Sequence, residues 1–209
     1  MPPAIHDSPR ISGINEAWQH QKCEMLELTF HSVSKQPSQV NQTLSDYRPW
    51  ETANIDKDRN CFFRCLSHII TGNQDSHSEL RKLIAHFIAS QGASKLGWYL
   101  KHSGYTPFSY FQKESMVNMD GVWGGDVEIM AASAILQVDI FVANNEYRWD
   151  SQEKVNQVIS WKLMRANALN EEAIYVKNFD LHFEPVTSLV NNPTPTFGVV
   201  VDQITLDFD

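Results

Sequence analysis

A cysteine at the start of an apolar helical pattern is well placed to act as a nucleophile. Cys61 follows a polar turn formed by Asp58, Arg59 and Asn60. Apolar side chains then repeat at helical spacing, at Phe62, Phe63, Leu66, Ile69 and Ile70. A helix N-terminus carries free N–H groups and partial positive charge, which favour a thiolate and can hold the oxyanion of a tetrahedral intermediate. Residues 58–61 therefore predict a nucleophile with its oxyanion loop, although the spacing alone also fits a buried core cysteine.

A thiol nucleophile needs a base, and His182 is the histidine that the pattern favours. The chain has eight histidines. The others fall in the polar N-terminal part, in predicted loops, or on predicted helices where they should not meet Cys61. His182 lies between Leu181 and Phe183 in a late strand pattern, and a strand is a rigid mount for a base. The alternative is a histidine that is simply packed in an apolar strand.

A third group should orient the imidazole, and three residues compete for this role. Glu184 is two residues after His182, so both side chains share one face of the predicted strand. Asp58 and Asn178 are the other two candidates. Glu184 is equally compatible with a solvated strand carboxylate, so the residues alone leave the choice open.

Three sequence blocks, in order, resemble the ovarian tumour (OTU) family of cysteine proteases. DRNCFFRCLS resembles the nucleophile motif of the family, Asp-Gly-Asn-Cys-Leu-Phe-Arg-Ser. The Trp-Gly-Gly block at 122–128, followed by an alanine-rich helix and a strand, resembles the central block. A strand leading into Leu181-His182-Phe183 resembles the closing block. The resemblance covers about residues 47–187, which is most of the chain.

The resemblance implies an α+β fold of the papain-like type, with a small central β-sheet flanked by helices. It implies hydrolysis of isopeptide bonds at the C-terminus of ubiquitin or a ubiquitin-like modifier, without a cofactor. No metal is expected either, because no further ligand cluster accompanies the Cys61 and Cys65 pair. Cys61 would be the nucleophile and His182 the general base. Asp58 would shape the oxyanion loop or assist the triad, and Glu184 stands where many members have an orienting Asp or Asn. The Trp123–Glu128 block would be structural and close to the substrate channel.

The sequence departs from the family pattern at three positions near these residues. Arg59 replaces the usual glycine, and arginine would strain the loop if this position needs a positive φ. Cys65 replaces a usual serine, and Glu184 is one methylene longer than the usual group. Arg59 and Glu184 motivate one alternative, a non-catalytic ubiquitin-binding module that keeps the fold. Another is a protease acting on the polyprotein of a virus or mobile element, where OTU domains also occur.

Periodicity predicts helices first and strands later, which is typical of an α+β domain. The predicted helices cover 14–28, 61–70, 76–88 and 126–137. The predicted strands cover 138–142, 147–149, 158–161, 174–177 and 182–186, with a further edge strand after 198. Short helical pieces and loops are expected in 92–118. The predicted domain boundaries are an N-terminal extension at 1–45, partly helical or flexible with a Ser/Gln/Asn-rich linker at 32–45, a protease domain at 46–188, and a tail at 189–209.

Composition narrows the classes of partner. Lys and Arg total 17 against 25 Asp and Glu, so the net charge is −8 and binding to a nucleic-acid backbone is not expected. An acidic protein suits partners with positive patches. Three cysteines fit a reducing compartment, the cytoplasm or nucleus, better than a disulfide framework. No apolar run is long enough for a signal peptide or a membrane span.

Overall fold

The helices and strands are set out in a computed structural model, which describes residues 10–96, 116–149, 155–165, 172–191 and 203–205. The helices are α1 (Glu16–Met25), α2 (Cys61–Thr71), α3 (His77–Lys95) and α4 (Asp126–Leu136), with a 3-10 turn at Leu44–Asp46. The strands are β1 (Arg10–Ile11), β2 (Gln39–Thr43), β3 (Tyr47–Thr52), β4 (Asp139–Trp149), β5 (Val155–Arg165), β6 (Ala173–Phe179), β7 (His182–Asn191) and β8 (Gln203–Thr205). The α+β class expected from the sequence is confirmed.

Helix α2 begins and ends where the sequence predicts. Its first residue is Cys61, and it stops at Gly72, which has a φ of 86°. A Cβ at Gly72 would lie 2.1 Å from the backbone oxygen of Ser32, so glycine is needed for space as well as for conformation. Phe62, Phe63 and most other apolar side chains of α2 are buried. The helix is therefore held tightly, and its first turn is a rigid platform.

Six strands form one mixed sheet in the order β3-β7-β6-β4-β5-β8. Strands β4 and β6 run parallel, as do β5 and β8, and the other neighbours are antiparallel. Strands β6 and β7 form a hairpin in which Phe179 pairs with His182. Asp180 and Leu181 form its two-residue turn with φ values of 53° and 61°, the left-handed conformation that matches the twist of a hairpin.

The two faces of the sheet carry separate cores. Side chains of one face, such as Val142, Val176 and Phe183, pack in the cluster that contains α2, α3 and α4 residues. The alternate side chains, such as Phe141 and Tyr175, belong to a second cluster. The sheet is therefore covered on both faces, as the near-continuous apolar runs of its inner strands require.

The prediction of a linker at 32–45 is wrong, because this polar stretch packs against the sheet. Strand β2 pairs with β1, and Leu44 is 2% exposed in the second core. The Gln36 side chain donates to the Val186 carbonyl at 3.2 Å and accepts from the Tyr175 N–H at 2.9 Å. Polar side chains here satisfy buried backbone groups, a use that composition does not reveal. The domain boundaries themselves stay predictions.

No strand is predicted at β1 or at β3, so the structure adds both. The other remaining elements agree with the predictions in type and differ in length. Helix α3 continues past the predicted end at 88 to Lys95, and the two strand segments at 138–142 and 147–149 are one strand, β4. Helix α1 and edge strand β8 lie within their predicted ranges. Most of the segment expected to hold short helices, 92–118, lies outside the described residues. Within the described part of the chain, no helix is long and apolar enough to cross a membrane.

Candidate active site

Cys61 occupies the first position of α2, and the fold brings it to the β6–β7 hairpin. Its side chain is largely enclosed, with 4% of the residue exposed. The thiol donates to the carbonyl oxygen of Leu181 across 3.6 Å. Leu181 immediately precedes His182, so the fold brings the predicted nucleophile to the turn that carries the predicted base, although 120 residues separate Cys61 from Leu181.

The turn before Cys61 is organised by the carboxylate of Asp58. The backbone N–H of Asn60 donates to Asp58 Oδ1 at 2.9 Å, and its side-chain Nδ2 donates to Oδ2 at 3.0 Å. Arg64, one turn into α2, donates to Oδ2 from Nε at 2.8 Å and from a terminal nitrogen at 2.7 Å. Burial would raise the pKa of Asp58, but these hydrogen bonds outweigh it and hold the pKa well below its ordinary value. Asp58 is therefore an ionised brace of the turn.

Arg59 stands where the family pattern has glycine, and its backbone has a positive φ. Its φ is 67°, in the left-handed region, and its side chain is exposed. A non-glycine residue costs roughly 1–2 kcal/mol there. The strain anticipated from the sequence is present, one residue from the Asn60 that precedes the nucleophile.

His182 is the first residue of β7, and its environment favours the neutral imidazole. Its side chain is 13% exposed. Burial lowers the pKa of His182, and the charges of Lys57 and Lys177 lower it further. Glu184 and a hydrogen bond to the Ile55 backbone oppose them, but the net pKa is below the ordinary value. A neutral imidazole is the form that can accept the proton of a thiol.

Glu184 is the carboxylate beside His182. Its Oε1 lies 3.6 Å from His182 Nε2, within ion-pair range but longer than a hydrogen bond. Its Oε2 accepts from Thr52 Oγ1 at 2.8 Å and from Lys177 Nζ at 3.0 Å. Burial would raise the pKa of Glu184, but the bonds from Thr52 and Lys177 lower it below its ordinary value. Three strands thus hold one ionised carboxylate against the imidazole.

The other two candidates for the third group lie elsewhere. Asp58 is engaged with Asn60 and Arg64, as described above. Asn178 pairs with Phe183 across the β6–β7 hairpin, so alternation places it on the opposite face from His182. The residues alone left three candidates open, and the tertiary arrangement sets Glu184 next to the imidazole.

The central block predicted from Trp123 to Glu128 packs on the first turn of α2. A Cβ on Gly124 would lie 2.9 Å from a ring carbon of Phe62, so no side chain fits at this position. The buried Glu128 carboxylate accepts from the Gly125 N–H at 2.7 Å, which closes the start of α4. Trp123 is 50% exposed beside them. The block therefore shapes the surface next to Cys61.

Cys65, which stands where the family has serine, is fully buried one turn after Cys61. Burial raises its pKa well above the ordinary value, and the nearby Cys61 and Glu184 add to the effect. A buried thiol of this kind is inert. Among the described residues, no group of three or more His, Cys, Asp or Glu side chains could hold a metal ion.

Sequence reasoning missed the groups that hold the site residues in place. Lys177 lies opposite Glu184 in the hairpin, a relation that appears only once the register is known. Thr52 comes from β3, 132 residues before Glu184. Arg81 is 2% exposed on α3 and donates to the Asn60 side chain. A signal for Arg81 existed, because it falls at the apolar spacing of its helix, three residues before Ile84.

Comparison with known proteins shows the family of this chain. The family model described as "OTU-like cysteine protease" matches residues 56–183, which spans Cys61, His182 and the elements between them. This chain belongs to the OTU-like cysteine protease family.

The matched relatives are distant and much longer than the matched region. OVARIAN TUMOR DOMAIN-containing deubiquitinating enzyme 7 of Arabidopsis thaliana is 29% identical over 96 residues, which is 46% of this chain and 24% of the relative. Human OTU domain-containing protein 1 is 30% identical over 120 residues, which is 56% of this chain and 22% of the relative. The chain therefore aligns with less than a quarter of the length of each.

The solved structures that this chain matches include OTU domains. The viral OTU domain protease from Dera Ghazi Khan virus has a TM-score of 0.48 and 21% identity, covering 77% of this chain and 97% of that one. An OTU deubiquitinase from Wolbachia pipientis wMel, solved bound to ubiquitin, has a TM-score of 0.45 and 17% identity, covering 70% and 96%.

Proposed function

We propose that this chain is a thiol-dependent deubiquitinase that hydrolyses the isopeptide bond at the C-terminal glycine of ubiquitin or a ubiquitin-like modifier. The observation that carries the proposal is the juxtaposition of Cys61, at a helix N-terminus, with the hairpin that holds His182 and Glu184. Membership of the OTU-like family and the similarity to a deubiquitinating enzyme of Arabidopsis support it.

The chemistry assigns one task to each group. His182 accepts the thiol proton as Cys61 Sγ attacks the carbonyl carbon of the modifier's last glycine. The imidazolium then protonates the departing lysine amine, which leaves a thioester. His182 next takes a proton from water as the water oxygen attacks the thioester carbon. The thiolate then leaves and takes that proton back from the imidazolium, which releases the modifier and restores the free thiol and the neutral base. Glu184 keeps the imidazole oriented and stabilises its charged form.

The oxyanion of each tetrahedral intermediate would be held by backbone N–H groups of the 58–61 loop. The N–H of Asn60 already donates to Asp58, so it holds the loop rather than the substrate. The N–H of Cys61 lies in the first turn of α2, where backbone donors have no acceptor within the helix. Removing one oxyanion donor typically costs about 10²–10³ in turnover.

Charge and cysteine content suggest the setting in which the enzyme works. The net charge of −8 suits a modifier with a basic face, because complementary charge speeds encounter. The three cysteines are all free and buried, in keeping with a reducing compartment such as the cytoplasm or nucleus. Ubiquitinated proteins would be the substrates.

The test uses ubiquitin that carries a C-terminal electrophile. The wild-type chain should form a covalent adduct at Cys61, located by peptide mass spectrometry, and should cleave di-ubiquitin. Cys61→Ala should do neither. Cys65→Ser is the matched control, since it changes a cysteine one turn away to the residue usual in the family, and it should still be labelled.

A second candidate, a non-catalytic ubiquitin-binding module, rests on the strained Arg59 and on the 3.6 Å gap between His182 and Glu184. That reading would hold if the wild type bound ubiquitin but neither reacted with the electrophile nor cleaved any di-ubiquitin linkage. A panel of differently linked di-ubiquitins would also establish linkage preference.

A further inference from the structure

Arg81 is a buried cation in contact with the nucleophile loop. Its guanidinium donates to Asn60 Oδ1 at 2.7 Å, to the Val117 carbonyl at 2.8 Å and to the Val122 carbonyl at 2.7 Å. It also lies 3.9 Å from the centre of the Phe63 ring. The residue is only 2% exposed. These contacts join α3, the first turn of α2 and the segment before the Trp-Gly-Gly block.

An arginine is expensive to bury, so its position needs a reason. Burial lowers the pKa of Arg81, against the favourable charges of Asp120, Glu128 and Asp58. Its three acceptors are uncharged oxygens, and an apolar residue at this place on α3 would avoid the desolvation cost. The arrangement is therefore best explained by what the guanidinium holds.

The group it holds is the residue next to the nucleophile. Asn60 Oδ1 accepts from Arg81 and also from the Gly121 N–H at 3.0 Å. The other end of the same carboxamide donates to Asp58, which anchors the turn. The Asn60 side chain is thus held from both sides, and Cys61 follows it directly.

We propose that Arg81 is a positioning residue for the hydrolysis, fixing the Asn60 carboxamide and so holding the 58–61 loop against the 117–122 segment. The inference rests on the proposed function for its kinetic consequence, but not for its structural one. A planar fork with donors at set angles can reach three oxygens at once, which the single ammonium of lysine does less well.

The kinetic experiment measures kcat and KM for a ubiquitin substrate, together with the rate of Cys61 alkylation by iodoacetamide. Arg81→Met should lower kcat by about 100-fold, the effect of a misplacement of about 1 Å at a reacting centre. KM should change little, because the modifier's binding surface is intact. The limiting alkylation rate at high pH, where Cys61 is fully ionised, should keep its wild-type value, because that reaction forms no oxyanion and no longer depends on the charge of Arg81. Arg81→Lys should recover part of kcat.

The structural experiment needs no turnover. Hydrogen exchange in Arg81→Met should speed up in 58–61 and 117–122, while α2 after its first turn stays protected. Arg48→Met, which alters a half-buried arginine on β3, is the matched control and should change neither segment. If Arg81→Met does not fold by circular dichroism, Arg81→Lys serves for both measurements.

A double-mutant cycle of Arg81 and Asn60 tests whether Arg81 acts through the Asn60 side chain. If Arg81 acts through Asn60, Arg81→Met should cost little once Asn60→Ala is present. Fully additive losses, unchanged exchange in 58–61, or a parallel fall in the limiting alkylation rate would each overturn the proposal. A wild type that never cleaves ubiquitin would refute the proposed function instead, and the exchange result would still decide the role of Arg81.

Discussion

The nucleophile loop and the β6–β7 hairpin hold their reactive groups in different ways. The loop is braced mostly from within, because the Asp58 carboxylate binds Asn60 and Arg64, two and six residues away. The hairpin depends on distant strands, because Glu184 is fixed by Thr52 of β3 and Lys177 of β6. Local sequence can therefore encode the first arrangement, whereas the second exists only after the sheet has formed.

The two regions also differ in where strain and charge are placed. The loop carries a non-glycine residue at a φ of 67°, next to the chemistry. The hairpin instead carries two charges that act on the His182 ring, those of Lys177 and Glu184, and Lys57 adds one from the residue before the loop. The comparison implies that changes in the loop should act on backbone geometry, and changes at the hairpin on protonation.

The largest expected effect comes from removing the base. His182→Ala should lower kcat/KM for di-ubiquitin cleavage by about 10²–10⁴-fold, the usual contribution of a general base. Thermal unfolding should confirm that the variant folds. The exposed His86→Ala on α3 is the control and should retain full activity. Near-normal turnover in His182→Ala would show that the hairpin does not supply the base.

A smaller loss is expected at the orienting carboxylate. Glu184→Ala should lower kcat by about 100-fold, because the imidazole would lose its alignment with the thiol. Thr52→Val, which removes one of the two donors to Oε2, should cost less than that. Asn178→Ala is the informative control. A loss at Asn178 as large as that at Glu184 would contradict the geometric assignment of the third group.

The protonation of His182 can be tested through the pH dependence of kcat/KM. Lys177→Met removes a positive charge that lowers the pKa of His182, so that pKa should rise. The base then becomes neutral only at higher pH, and the acid limb of the kcat/KM profile should move upward. Lys162→Met, which breaks an ion pair with Asp126 on the far side of the sheet, should leave the limb in place. If the acid limb of the Lys177→Met profile did not move, Lys177 would have no effect on the pKa of the catalytic base.

The smallest effect concerns the strain at Arg59. Arg59→Gly should raise the free energy of unfolding by about 0.5–1 kcal/mol, since relief of left-handed strain is partly offset by the flexibility of glycine in the unfolded chain. Urea unfolding would measure the difference. Arg59→Lys keeps both charge and strain and should match the wild type. If Arg59→Gly also slows Cys61 alkylation while Arg59→Lys does not, the charge of Arg59 assists the thiolate.

The sequence by itself determined the elements that present the nucleophile. The spacing from Phe62 to Ile70 and the glycine at 72 set the limits of α2, because helix periodicity and termination depend on near neighbours. The three ordered blocks pointed to the family and to the Cys61–His182 pair. The motif also indicated the strained position at 59, since glycine is usual where φ is positive.

Only the tertiary structure decided what surrounds that pair. The polar composition of 32–45 predicts a linker, but in the structure the Gln36 side chain hydrogen-bonds to the backbone of the sheet. Strand alternation already placed Glu184 beside His182, but Lys177 and Thr52 became the supports of Glu184 only through strand register, which pairs residues far apart in the chain. Arg81 met Asn60 because α3 packs on α2. Such contacts depend on how separate elements pack, which no local pattern encodes.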